Sequence, residues 1–236
     1  LIKDRNLPTT NKTRYVNKGQ QLFRLDKEEL LPIKEDQEEQ VIEFLNSGLE
    51  QIEVVILSDY NKGFLTLSLT KKIIKVCNEF GIKVLIDPKK KDFNSYKGAF
   101  LLTPNEKEAE NATGIKIVDE VSLLQCFEKL VNQTGNPLQL ITRSEKGMSL
   151  YNKGQITNFK AQAKEVFDIT GAGDTVIAAL AYKLSLGCDV LESVRFSNFA
   201  GSVVVGKFGS SVTNEKEVIS YINKNKDLRN NIFGSS

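Results

Sequence analysis

Asp168-Ile169-Thr170-Gly171-Ala172-Gly173-Asp174-Thr175 stands where an extended segment hands over to a helix. Residues 155–167 before it read as β structure. Residues 175–187 after it are apolar, free of proline and rich in alanine and leucine. A helix start offers backbone N–H groups without partners and the positive end of the helix dipole. Glycines let that backbone approach an anion closely, so the turn is a ready phosphate site. Asp174 is the unexpected member, because a carboxylate there repels a resting phosphate. It makes sense as a base that takes a proton from a hydroxyl attacking the phosphate. A plain capped helix start is the competing reading for an isolated Gly-x-Gly-Asp.

Outward from this turn, the chain alternates. Short apolar runs at 53–58, 82–86, 99–102 and 138–142 read as buried strands. Between them, 66–80, 105–113 and 119–133 read as helices, with Gly81 and Gly114 as stops. A further helix is expected at 36–49, another at 189–205 and a last one at 215–223. Residues 13–16 and 21–25 form a small hairpin around Asn17-Lys18-Gly19, and Asn152-Lys153-Gly154 signals a second. Alternation of this kind predicts an α/β fold, a mainly parallel doubly wound sheet with helices on both faces. Ligands in such sheets bind at the carboxyl ends of the strands. Polar turn-forming clusters stand there: 58–63, 87–89, 103–108 and 142–147.

Composition narrows the chemistry. The 236 residues carry 32 Lys and Arg against 30 Asp and Glu, a net charge of +2 spread along the chain. That gives no argument for a nucleic-acid or membrane partner. No run of apolar residues is long enough to span a bilayer. The three cysteines, Cys77, Cys126 and Cys188, lack ligand spacing and fit a reduced, cytoplasmic protein. There is no histidine, which excludes Ser-His-Asp and Cys-His catalysis and leaves acid–base work to Asp, Glu, Lys or Tyr.

The whole string Asp168 to Thr175 closely resembles the C-terminal signature of the ribokinase-like (PfkB) carbohydrate kinases. The resemblance implies that Asp174 is the catalytic base and that the Gly171, Ala172 and Gly173 amides form an anion hole. Val176 stands where the family often has Phe. Asn105 and Glu108 share a helix face and resemble the family's Asn-x-x-Glu element for Mg²⁺ and phosphate. By themselves they read more readily as an N-cap with an acidic first turn. The 142–147 segment resembles the nucleotide loop, which puts Thr142, Ser144 and Gly147 near ATP, with Gly147 allowing close approach. Asn198 falls on a helix expected to line the adenine pocket, with 206–211 as the loop beneath the base.

Other stretches resemble one branch of the family, the kinase part of the bifunctional heptose enzymes of lipopolysaccharide precursor synthesis. They include Leu57-Ser58-Asp59-Tyr60-Asn61-Lys62-Gly63, Leu85-Ile86-Asp87-Pro88-Lys89, and segments 8–14, 20–26, 101–105, 141–148 and 203–209. This branch phosphorylates D-glycero-β-D-manno-heptose 7-phosphate at O1 with ATP and Mg²⁺, and a separate nucleotidyltransferase domain then adenylylates the product. The resemblance implies a sugar-phosphate substrate, for which Lys12, Arg14, Asp59, Lys62, Lys89 and Asp174 are the candidate contacts. It also implies a homodimer, because lid strands in the family pair between subunits. It divides the chain into a kinase domain at 1–225, with a lid remnant at 8–26, and a flexible tail at 226–236. The family's N-terminal glycine-rich sugar segment and the nucleotidyltransferase domain are expected to lie outside this sequence. Another sugar kinase of the family, or a nucleotide-binding module without turnover, stays open. A dinucleotide dehydrogenase is disfavoured, because no glycine fingerprint follows the 53–58 run.

Overall fold

The central strands of this protein are buried on both faces, and the two faces serve different helices. The structure is a computed structural model that describes residues 9–17, 20–163, 165–207, 209 and 211–224. Strands β3 (Val54–Ser58), β4 (Lys83–Asp87) and β5 (Leu101–Leu102) form a parallel sheet in that order. Strands β6 (Leu138–Thr142), β7 (Met148–Asn152) and β8 (Gln155–Phe159) form an antiparallel meander. A parallel bridge between Asn105 and Thr142 joins the two sheets into one layer.

Helices α1 (Glu35–Asn46), α2 (Leu67–Glu79), α3 (Glu106–Thr113) and α4 (Glu120–Thr134) supply one face. There Val84, Ile86, Leu102, Ile141 and Tyr151 pack with Leu69, Ile73, Leu123 and Phe127. Helices α5 (Ala172–Ser185) and α6 (Val190–Val205) supply the other, where Leu85, Leu101, Leu140 and Leu150 pack with Val176, Leu180, Leu184 and Val194. The odd–even split is the period-two geometry of a pleated strand. A smaller cluster seats α7 (Glu215–Lys224) on α6 through Val218, Phe199 and Val203. Side-chain caps start several helices where the sequence puts them, Thr66 at α2, Asp119 at α4 and Asp189 at α6.

The hairpin is β1 (Asn11–Asn17) against β2 (Gln20–Lys27), with a bulge between Tyr15 and Val16. Its turn at Lys18 and Gly19 lies outside the described residues, as do the expected tail at 226–236 and residues 1–8. Register pairs Lys12 with Asp26 and Arg14 with Arg24 on one face, and Thr13 with Leu25 and Tyr15 with Phe23 on the other. Tyr15 and Phe23 stack at 4.3 Å between ring centroids.

The sheet is mainly parallel, as expected, with β7 and β8 running antiparallel beside β6 around the expected Asn152-Lys153-Gly154 turn. Two expectations need correction. The 53–58 run is an edge strand among the described residues rather than a buried one, with Leu57 buried but Ile56 40% exposed. The extended segment before the phosphate turn ends at Phe159, and 160–163 and 165–171 are irregular connection. Contacts from distant elements fix that connector: Asn198 Nδ2 donates to the Lys160 carbonyl, Tyr221 Oη to the Gln162 carbonyl, and the Phe167 amide to the Val205 carbonyl. Cys77, Cys126 and Cys188 are free thiols, and burial pushes the Cys77 thiol up to about 11.

Candidate active site

The phosphate turn opens helix α5. Gly171 is its N-cap with φ of 79°, a left-handed conformation that glycine adopts without penalty. Asp168 shapes the approach: its Oδ1 accepts the Thr170 amide at 2.8 Å, and the Thr170 hydroxyl and amide hold its carboxyl below the ordinary range. The Ala172 amide closes the turn onto the Ile169 carbonyl at 3.2 Å. The Gly173 and Asp174 amides fall in the first helical turn, where geometry provides no intrahelical acceptor. Gly173 and Asp174 are both exposed, so this helix start is open to a ligand.

Beside the turn, a cleft of about 600 Å³ runs between α5, α6 and the segment leading into α7. Ala178 and Ala200 leave room, Phe196 and Val212 provide apolar walls, and Gly171 and Asp174 stand at its end. A flat apolar group joined to an anion fits that layout. Asn198, expected to line it, does not: it is buried on α6 and turned to the Lys160 carbonyl. Phe208 and Ser210 of the expected base loop lie outside the described residues, whereas Ser211 lines the cleft.

On the opposite side, the ends of β4 and β5 bring carboxylates together. Lys89 Nζ lies 2.6 Å from Glu108 Oε1 and 3.3 Å from Asp87 Oδ1. Burial raises the Asp87 pKa, and the charges of Glu108 and Asp174 raise it further against the pull of Lys89. Burial disfavours the Lys89 charge, but the hydrogen bond to Glu108 and the charge of Asp87 outweigh it and hold its pKa above the ordinary value. Asn105 and Glu108 form a reciprocal capping box at α3, each side chain accepting the other's amide at 2.9 Å. Both readings of that pair thus share one geometry, and the Glu108 Oε1 atom facing Lys89 is the part turned toward the site. No group of three or more His, Cys, Asp or Glu side chains converges as a metal cage among the described residues.

Asp87 yields a stability test. Its folded pKa is raised, so its stabilisation is fully present below the unfolded value and is lost as pH rises through the folded one. Asp87→Asn removes that cost of ionisation. A higher thermal midpoint at neutral pH is expected, with little change in acid; a lower midpoint at neutral pH contradicts the electrostatics.

Other expected residues are placed differently. Asp59 is 2% exposed and turned inward, its carboxylate 3.0 Å from Lys90 and accepting the Tyr96 hydroxyl at 2.8 Å and the Asn61 amide at 2.7 Å. It shapes a loop rather than presenting oxygens to a sugar. Thr142 gives its amide to the Pro104 carbonyl at 2.9 Å, and Ser144 is exposed with φ of 49°. Gly147 has φ of 88°, and a Cβ there would stand 1.9 Å from the Phe159 carbonyl oxygen. The close approach seen at this glycine is by the chain's own backbone at 159–161. Lys12, Arg14 and Arg24 share one hairpin face, and Lys12 and Lys62 both pair with Glu28.

Sequence reading passed over three contributors. Tyr60 points its hydroxyl at Asp174 Oδ1, 3.5 Å away. Arg143 donates to Glu106 Oε1 at 2.8 Å and to Ser149 Oγ at 3.1 Å, tying the β6–β7 turn to the start of α3. Arg24 adds a cation to the hairpin face, paired with Asp26 at 2.8 Å. Among the described residues no helix is long and apolar enough to cross a membrane.

Known proteins share this architecture. A ribokinase of Arabidopsis thaliana complexed with ribose and ATP superimposes with a TM-score of 0.73 at 23% identity, covering 92% of this chain and 70% of that one. A ribokinase of Giardia lamblia gives a TM-score of 0.76 at 19% identity, covering 92% and 72%. These likenesses establish a ribokinase-like fold. In sequence, the "Bifunctional protein HldE" of Helicobacter hepaticus is 45% identical over 222 residues, 94% of this chain and 46% of that protein. The protein of that name in Wolinella succinogenes is 44% identical, covering 94% and 47%. The chain therefore spans about half the length of the curated relatives it matches. The family described as "pfkB family carbohydrate kinase" matches residues 1–217, and the chain belongs to that family.

Proposed function

We propose that this chain transfers the γ-phosphoryl group of ATP to O1 of a heptose 7-phosphate, D-glycero-β-D-manno-heptose 7-phosphate, giving the 1,7-bisphosphate. The observation that carries the reading is the position of Asp174. It sits in the first turn of α5, at the end of the apolar cleft and 3.5 Å from the hydroxyl of Tyr60, whose loop also carries Lys62 against Glu28 at the hairpin root. A base is useful where a hydroxyl from one side meets a phosphoryl group from the other. The match to relatives named bifunctional HldE proteins over most of the chain supports the heptose assignment.

In the proposed step, Asp174 accepts the proton of the anomeric hydroxyl. O1 forms a bond to the γ-phosphorus as the bond to the ADP oxygen breaks. The amides at the start of α5 receive the charge that spreads over the phosphoryl oxygens. Lys89 is a fixed cation beside Asp87, which feels the charge of Asp174, and is held protonated by Asp87 and Glu108. Adenine takes the cleft beside Phe196 and Val212.

The donor set fits Mg²⁺ held mainly by nucleotide phosphates and water. Glu108 and Asp87 offer carboxylate oxygens and Asn105 an amide oxygen, three groups from which the one or two protein contacts this ion accepts in such sites can come. When bound, the ion neutralises phosphate charge. The 7-phosphate meets Lys12, Arg14 and Arg24 on the hairpin. We assign the protein to the cytoplasm, where ATP and free thiols belong, as a homodimer with a linked nucleotidyltransferase domain.

ADP release measured across a panel of sugars tests the assignment. The heptose 7-phosphate is expected to show a kcat/KM about 100-fold above ribose or fructose 6-phosphate, a loss consistent with unpaired charged contacts. Equal turnover of ribose sinks the heptose reading and leaves a sugar kinase of another specificity.

A further inference from the structure

The loop after β3 touches both the base and the hairpin. Tyr60 reaches Asp174 across 114 residues of sequence. Lys62 pairs with Glu28, just past β2, and Glu28 in turn lies 3.9 Å from Lys12 of β1. The Gly63 carbonyl accepts the Ile33 amide at 3.1 Å, and a Cβ at Gly63 would stand 2.1 Å from the Leu31 oxygen. The hairpin's root at 28–33 therefore lies directly against the segment that carries Tyr60.

That segment cannot absorb movement easily. Asp59 anchors its start through Lys90, Tyr96 and the Asn61 amide, and Asn61 is held at φ of 53°. Lys90 is fixed in turn by the Leu65 carbonyl at 2.7 Å, at the loop's far end. A short loop pinned at both ends passes a displacement at its middle to its neighbours. Tyr60 is more than half exposed, so its hydroxyl has room to follow a ligand or the carboxylate.

Building on the phosphoryl-transfer reading of Asp174, we propose that Tyr60 is a positioning residue for the Asp174 carboxylate, and that the hairpin sets its place through the 59–63 loop. The phenol donates to Oδ1, which leaves Oδ2 to face the substrate hydroxyl. At 3.5 Å the contact is long, as such contacts often are before a site is filled. A hairpin that settles over a sugar phosphate pushes on Leu31, Ile33 and Glu28, and the loop carries Tyr60 toward the base.

Tyr60→Phe in the intact protein is the test. A drop in kcat of about tenfold is expected, the worth of one hydrogen bond to a charged group, with KM for ATP changed less than about twofold. The acid limb of the kcat profile should move to higher pH, because a donor to a carboxylate favours its ionised form. Asp87, Lys89 and Glu108, and Glu215 across the cleft, are the other charged groups around Asp174, and all remain in this variant. Gly63→Ala moves the loop off Leu31 with Tyr60 intact, and should change kcat and the acid limb in the same direction. A Tyr60→Phe enzyme with the parent kcat and acid limb overturns the positioning role. So does a kcat loss with an unmoved limb, which marks a loop that matters for structure alone. A Gly63→Ala enzyme with parent kinetics overturns the link to the hairpin. Asp174→Asn measured alongside separates the two levels: if it too keeps full turnover, the phosphoryl-transfer reading falls; if it alone is inactive, only the role of Tyr60 falls.

Discussion

Asp174→Asn is expected to lower kcat by about 10³-fold, the middle of the range for a general base and about 4 kcal/mol of barrier. The two side chains have the same shape. Asn is tolerated in the first turn of a helix, so α5 should start as before. The Gly171 cap, the Asp168–Thr170 turn and the cleft walls do not depend on the carboxylate charge. What the amide cannot do is take the proton of the attacking hydroxyl. Nucleotide affinity by calorimetry should change less than about threefold, and any change should be toward tighter binding, since one negative charge leaves an anion site. A rate within tenfold of the parent would remove Asp174 from the chemistry.

Gly147→Ala is expected to cost about 4 kcal/mol of folding stability, a value found where backbone strain and overpacking combine. Gly147 has φ of 88° and ψ of −121°, a region open to glycine and closed to alanine. The added methyl would stand 1.9 Å from the Phe159 oxygen and 2.5 Å from the Ala161 nitrogen, both backbone atoms. Neither can swing aside as a side chain could. For a chain of this length the thermal midpoint should fall by roughly 10 °C. The connector to the phosphate turn starts at Lys160, so turnover should fall as well. An unchanged midpoint would show that the β6–β7 turn and the connector separate at no cost, against the packing described.

The phosphate turn was legible because its chemistry is local. Gly171, Gly173 and Asp174 are adjacent in sequence, and the cap, dipole and base arise within one helical turn. The caps Thr66, Asn105, Asp119 and Asp189 and the stop Gly114 were legible for the same reason. The 138–142 run was legible as a strand but not in its direction of pairing. Residues Met148–Tyr151 beside it are buried on both faces, which leaves no polar alternation to mark an antiparallel meander.

The site's second half was obscured by long-range pairing. Asp59 and Lys62 lie in one polar cluster, yet Asp59 turns in to Lys90 and Tyr96 while Lys62 turns out to Glu28. Their partners lie 31 or more positions away and leave no trace in spacing. Tyr60 was passed over because its partner, Asp174, is 114 residues distant. Asn198 shows the reverse case: the family resemblance put it by the adenine, whereas its amide, buried on α6, donates to the Lys160 carbonyl. The apolar hairpin face at Tyr15, Phe23 and Leu25 is exposed in the single chain, as a surface covered by a second subunit would be.

Phosphorus NMR on the intact protein with ATP, Mg²⁺ and D-glycero-β-D-manno-heptose 7-phosphate tests the central claim most directly. One new sugar-phosphate signal split by the anomeric proton is expected, growing with ADP, while the 7-phosphate signal persists. No such signal is expected with Asp174→Asn over the same interval. A new phosphate on any carbon other than C1, or ADP formed with no new sugar phosphate, would contradict it.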